Sequence, residues 1–392
     1  MVAENASVST AGPVILDNNF PHHDSGLTLP QSVLTAPRRF PVARSGENTL
    51  QIAVPLLQIA NLDRRAPPGY RPGGVPRAPE FNANVLAITA TPSMPRIAVQ
   101  CEVRGFSPAQ TPIYWRLQCR HVLARHMNTG NGRYRGASEI HEDEWQGRST
   151  AANFVLFAAP RDAAVTHDYN TEQSVMGGHA ILTVAARVPG TGGWLYDYVH
   201  LRIGGTNPVR ANVERYVANL LRGRDSNVVA MLRAIFVHES GYRQFLPEVQ
   251  TANRAYGLRF DWPDDPANFP LAAFDFGIGL SQYTKSPTQP IGRGVAWDWR
   301  ENVRASTNLF LTQKLRATYQ QGRTWREWAH IAWLRYNGSG QRALNYANGL
   351  AASPEGQRVS ASAVPRSIDL EALTAYIRGS GDRPAPPAWP PR

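Results

Sequence analysis

The chain has 392 residues, enough for two or three domains, and its formal net charge of +11 is carried almost entirely by arginine. Only 18% of residues are charged, and 32 glycines and 31 prolines predict a chain rich in loops and strands. The positive balance suits an anionic partner such as nucleic acid, a membrane surface or a cell-wall polymer. However, no Lys/Arg block or nucleic-acid signature is present, and no run of 18 apolar residues would span a membrane, so neither a nucleic-acid partner nor a membrane span is expected.

In chain order, Met1 to Thr10 lacks the basic and apolar regions of a signal peptide, and none is expected. Residues 1–82 read as a Pro-, Asn- and Arg-rich arm. It has one apolar island at Leu50–Leu57 and an extended linker from Arg64 to Pro79 (RRAPPGYRPGGVPRAP). Such an arm either orders against another surface or stays a disordered tail. His22-His23-Asp24 within it has no spaced partner that would make a metal site.

Residues 83–206 carry the period-2 signal of strands. Ile97–Val103 and Ile113–Leu117 alternate, and Ala180–Val184 leads through a Pro-Gly-Thr-Gly-Gly turn into Tyr196–Ile203, which predicts a hairpin. Short strands at these intervals predict an Ig-like β-sandwich. The Cys101-to-Trp115 spacing faintly matches an immunoglobulin strand pair, although the usual second cysteine after the tryptophan is missing. Cys101 and Cys119 either pair or stay reduced, and two thiols do not decide the compartment. His121 and His126 are five apart, and His141-Glu142 continues as Asp-Glu. Neither fits a zinc-helix pattern, so no metal or cofactor is expected.

At Asn207-Pro208 the period switches to 3.6, with Asn as cap and Pro in the first turn. Val213, Tyr216, Val217, Leu220 and Leu221 form an apolar stripe, and Asp225-Ser226-Asn227 offers caps for the next helix. A further helix starts at Thr324 with Glu327 completing a capping box, and Trp325, Trp328, Ala329, Ala332, Trp333 and Tyr336 line its inner face. Residues 207–378 therefore read as a mainly α domain, and 379–392 as a Pro-rich disordered tail. The expected fold is multidomain α+β, strands first and helices after.

Three segments carry chemistry. Val228, Leu232, Ile235 and Glu239 fall within about 40° of one another on a helix, so Glu239 is directed toward the buried face. Desolvation favours the protonated carboxyl, which suits a general acid; a Glu at a helix end stopped by Gly241 is the bland alternative. Phe276-Gly277-Ile278-Gly279-Leu280-Ser281-Gln282 is a tight turn that permits close backbone approach and offers an amide. Trp333-Leu334-Arg335-Tyr336-Asn337-Gly338 ends a buried helix face with a phenol and an amide.

In this order the three resemble the lysozyme-like domain of soluble lytic transglycosylases and goose-type lysozymes, over about residues 208–350. That family ends its catalytic helix in Glu-Ser, follows with a Gly-Leu-Met-Gln-type turn and closes on a Tyr-Asn-Ala-Gly-type helix end. Here they read Glu239-Ser240, Gly279-Leu280-Ser281-Gln282 and Tyr336-Asn337-Gly338, with Asn302-Val303 where the family usually has Asn-Ile. The resemblance implies that Glu239 protonates the glycosidic oxygen between N-acetylmuramic acid and N-acetylglucosamine. It implies that Ser240 orients the carboxyl or the acetamido group, and that Gln282, Tyr336 and Asn337 hold the sugar. Departures are the 43-residue interval from Glu239 to Gln282, with extra length near Leu246 to Pro270, and Ser281 and Gly338 in place of Met and Ala.

The implied function is cleavage of the peptidoglycan β-1,4 bond, by a lytic transglycosylase leaving 1,6-anhydro ends or by a hydrolytic muramidase. An inverting hydrolase needs a second carboxylate about 6.5–9.5 Å from the acid. Asp275 is the candidate, ahead of Asp264 and Asp265, though an Asp before a turn is commonly a cap. The other reading is a structural protein, a phage-tail or secretion-machine component keeping the fold as a wall-binding module. Without a signal peptide, export, injection or host lysis would have to bring the chain to the wall. A delivery-machine component and an inhibitor or immunity protein are then the candidate partners besides the glycan strands.

Overall fold

Strands occupy the N-terminal half of the described chain and helices the C-terminal half. The structure is a computed structural model describing residues 42–44, 50–52, 55–63, 84–124, 138–157, 165–167, 175–188, 193–246, 268–272, 277–284 and 290–378. The expectations for His22-His23-Asp24, the Arg64–Pro79 linker, His126, Asp264, Asp265, Asp275 and the 379–392 tail lie outside these residues.

Strands β1 (Val42–Arg44) and β2 (Leu50–Ile52) pair with each other. Strands β3 (Leu56–Ile59), β5 (Ile97–Arg104) and β8 (Asn153–Leu156) form a three-stranded antiparallel sheet in the order β3-β5-β8. The larger sheet runs β4 (Val85–Ile88), β11 (Trp194–Gly205), β10 (Gly178–Arg187), β6 (Ile113–Ala124), β7 (Ser138–Ser149), β9 (Val165–His167). All its pairings are antiparallel except β4 with β11. The expected hairpin is β10–β11, in register from Gly178↔Ile203 to Arg187↔Trp194.

Period-2 burial makes one core of the two sheets. Ile97, Val99 and Cys101 point inward from β5 while Ala98 and Gln100 are exposed, and Trp115, Leu117 and Cys119 are completely buried on β6. A buried carboxylate ties the sheets together: Asp197 on β11 accepts a 2.6 Å hydrogen bond from the Ile59 amide of β3. Cys101 and Cys119 are both buried and form no disulfide with each other. Burial, with the neighbouring Asp143 carboxylate, pushes the Cys119 thiol up.

The helical half comprises α1 (Arg210–Leu220), α2 (Ser226–Ser240), α3 (Arg293–Trp297), α4 (Trp299–Leu309), α5 (Trp325–Asn337), α6 (Gly340–Ala352) and α7 (Leu370–Thr374). Helix α4 continues into a π-helical segment, Phe310–Leu315, which buries Phe310, Leu311 and Leu315. Two sets of caps are as the sequence predicts. Asp225 accepts from Asn227 N, and Thr324 with Glu327 forms a reciprocal capping box.

Asn207 differs from expectation. Helix α1 starts at Arg210 with no side-chain cap, and Asn207 instead accepts from the Gln244 and Phe245 amides, both at 2.8 Å, and donates to Phe245 O at 3.0 Å. An Asn side chain satisfies any exposed amide pair within reach, and the chain leaving α2 supplies a better one than the helix.

Strand gives way to helix after Gly205, yet side chains from both sides share a core. Phe245, Phe269, Ile278 and Trp297 join the cluster built by the sheets. His121 on β6 meets Phe269 and Trp297 edge-to-face at 5.2 and 5.1 Å. Gly177 and Gly205 have no room for a Cβ because the rings of Trp297 and Phe245 lie against them. Polar bonds cross the same joint. Trp299 Nε1 donates to Ala90 O at 2.8 Å, and the Glu139 carboxylate accepts from the Ile291 and Gly292 amides, both at 2.7 Å, and bonds His141 Nε2 at 2.7 Å. Among the described residues no helix is long and apolar enough to cross a membrane, and no group of three or more His, Cys, Asp or Glu could hold a metal ion.

Burial works against ionised Glu139, but His141 and the two amides outweigh it and hold its pKa at about 2. A folded value below the unfolded one, near 4.3, means that the ionised form stabilises the fold; this contribution is complete above about pH 5 and fades as pH falls toward 2. Glu139→Gln should therefore lower Tm at pH 7, and thermal melts should show the gap to wild type narrowing between pH 5 and 3. An equal gap at both ends would exclude the ionic contribution.

Candidate functional site

Glu239 sits in the last turn of α2, half-buried, with Val228, Leu232 and Ile235 of the same face completely buried. Immediately after, Gly241 (φ 61°) and Tyr242 (φ 68°) adopt left-handed backbone in succession. Gly does so freely; Tyr does so at a cost, offset by burying its ring under the Arg210 guanidinium, 5.3 Å from the centroid. The reversal brings Gln244 back beneath the end of its own helix.

Two buried amides then build the site. Gln244, with no exposed surface, accepts from Leu280 N at 2.9 Å and donates to Val295 O and Ala296 O at 3.1 and 2.7 Å. Asn302 on α4, equally buried, accepts from Ser281 N and Ser281 Oγ at 2.9 and 2.7 Å and donates to Ile278 O and Val295 O at 2.7 and 3.1 Å. Between them they clamp the glycine turn, whose ends bridge Ile278 to Tyr283. Gly279 is obligatory twice over: its φ is 70°, and a Cβ there would strike the side-chain amides of Gln244 and Asn302. Gln282 also has positive φ, 48°, and its Nε2 returns to Gly279 O at 2.8 Å.

The Glu239 carboxylate accepts a 2.6 Å hydrogen bond from Tyr346 OH of α6. Burial, then the Glu239 charge, raises the Tyr346 pKa well above 10, so the phenol keeps its proton and remains a donor across the working pH range. The Tyr346 ring lies near-parallel to that of Tyr336 at 6.5 Å, and Tyr336 OH donates to Ser281 O at 3.0 Å and meets Ser306 Oγ at 2.9 Å. His238 stands edge-on to Tyr346 at 4.9 Å. The acid, the phenols and the turn thus form one connected polar cluster.

Of the residues singled out in the sequence, Glu239, Gln282 and Tyr336 come together around this turn. Ser240 is 3% exposed and its hydroxyl is committed to structure, donating to Leu280 O at 2.5 Å and accepting from Arg243 N at 3.0 Å. It joins the end of α2 to the turn. Asn337 is half-buried at the end of α5. Gln282 Oε1 is buried beside Gly277 without a hydrogen-bond partner among the described residues. Gln244 and Tyr346 escaped sequence reasoning. Tyr346 had a signal: Ala343, Tyr346, Ala347 and Leu350 make a helical stripe in which the phenol is the one polar member.

Asn302→Ala would strand the Ser281 amide and hydroxyl in a dry site, whereas Val295 O keeps Gln244 and Ile278 O keeps the Tyr283 amide. A loss of at least about 2 kcal/mol is expected, given roughly 1–3 kcal/mol per buried unsatisfied group. Denaturant unfolding measures it; a loss below about 1 kcal/mol would mean that the clamp is not what holds the turn. Comparison with family models, curated proteins and solved structures found no match to this chain, so the reading of the site rests on its own residues.

Proposed function

We propose that the chain cleaves the β-1,4 glycosidic bond between N-acetylmuramic acid and N-acetylglucosamine in peptidoglycan, with Glu239 as the general acid. The helical half is read as a lysozyme-like domain and the two sheets sharing one core as an Ig-like sandwich. The observation that carries the reading is the Glu239–Tyr346 hydrogen bond beside the clamped turn. A half-buried carboxyl at a helix end, oriented by a phenol, suits glycosidic protonation.

The chemistry needs one group that cycles a proton. Glu239 gives its proton to the leaving O4 as the C1–O4 bond breaks. The resulting carboxylate then takes the proton of the muramic acid 6-hydroxyl as O6 bonds to C1, closing a 1,6-anhydro ring without consuming water. Tyr346 holds the carboxylate in one rotamer through both steps. The net positive charge of the chain favours approach to the anionic wall.

Glu239→Gln should abolish clearing of purified peptidoglycan, by 100-fold or more on the general-acid scale, with the fold intact by circular dichroism. Tyr346→Phe, which removes only the hydroxyl, should lower kcat by about tenfold with little change in KM. Wild-type protein that clears no wall, or a Glu239→Gln variant that clears it fully, would reject the reading.

A further inference from the structure

Tyr346 bonds Glu239 and is itself buried, yet α6 gives its ring no cover on the outer side, where Asn345, Asn348 and Gly349 are all exposed. Two aromatic side chains from other helices flank it instead. Tyr336 of α5 lies near-parallel at 6.5 Å and is backed in turn by Phe310 at 6.2 Å. His238 of α2 meets the Tyr346 ring edge-on, with centroids 4.9 Å apart and planes at 90°.

His238 and Glu239 are consecutive, so their side chains leave the last turn of α2 about 100° apart. The two reach different parts of one tyrosine: the carboxylate takes the hydroxyl, and the imidazole lies against the ring. The imidazole also covers Gly349, where a Cβ would stand 3.6 Å from its Cε1. Tyr346 and Gly349 are three residues apart and share a face of α6, so this one side chain seats the end of α2 on that face. The rest of the imidazole stays in water, since His238 is exposed. Burial of the packed part lowers its pKa from 6.5, and at neutral pH the ring packs uncharged.

From this contact we infer that His238 is a positioning residue for the general acid: it braces the outer side of Tyr346 and so keeps the phenol on the Glu239 carboxylate. The catalytic consequence rests on the peptidoglycan reading; the bracing itself does not. A phenol held by Tyr336 alone can swing outward about χ1, and its hydroxyl then leaves the carboxylate. A ring braced on two sides loses that freedom, and the hydrogen bond stays preformed for proton transfer. His238 touches no reacting atom in this role and acts only through Tyr346.

The test uses the full-length protein with ¹³C-labelled tyrosine, the Tyr346 hydroxyl proton being assigned by its loss in Tyr346→Phe, together with kinetics on purified peptidoglycan. His238→Ala should speed exchange of that proton about threefold to tenfold and lower kcat about threefold to fivefold, with KM little changed and the fold intact by circular dichroism. His238→Phe, which keeps a ring edge-on to Tyr346, should restore both. In a Tyr346→Phe background His238→Ala should lower kcat no further, because the bond it protects is already gone. Hydroxyl exchange unchanged in His238→Ala, or kcat losses that multiply in the double variant, would overturn the positioning role. Wild type that clears no wall, with exchange faster in His238→Ala, would remove the peptidoglycan reading and leave the bracing of Tyr346 by His238 standing.

Discussion

The arrangement around Glu239 depends on two buried amides. Gln244 and Asn302 have no contact with water, and between them they satisfy the backbone of the 278–281 turn and of residues 295–296. A tight turn of this kind exposes amides and carbonyls that no helix or sheet ladder can pair, and a side-chain amide offers two donors and a carbonyl acceptor in one neutral group. Each unsatisfied group would cost roughly 1–3 kcal/mol, against a total stability of about 5–15 kcal/mol for a typical domain. The clamp therefore sets where Gln282 and Ser281 lie, and Tyr336 and Ser240 follow because both bond to that turn.

The β half acts on the site through packing. Trp297, the last residue of α3, is buried against Phe245, Phe269 and His121, and Phe245 follows Gln244 directly. The aromatic cluster on the sheet thus seats the residues on which the clamp is built. Polar bonds at Glu139 and Trp299 fix the same joint from its rim. Sheet and helices consequently position one another, and a change at the joint would be felt at the turn.

Periodicity made much of this legible. The period-2 runs gave the β10–β11 hairpin, and the 3.6-residue stripes placed α2 and α5 with their caps at Asp225 and Thr324. Glu239 could be found because it lies on the same stripe as Val228 and Ile235. Residues acting through long-range hydrogen bonds left no periodic trace: Gln244 reaches 36 residues to Leu280, and Tyr346 reaches 107 residues to Glu239. Asn207 was misread for a related reason. Short polar side chains take whichever backbone group the tertiary fold presents, and only the fold decides which that is.

The central claim is that a single carboxylate, oriented by Tyr346, cleaves the glycan without water. Digestion of purified sacculi in ¹⁸O-water followed by mass spectrometry of the released muropeptides tests it most directly. The account predicts 1,6-anhydromuramic ends carrying no label. Reducing ends that carry ¹⁸O would contradict it and require a second carboxylate to activate water.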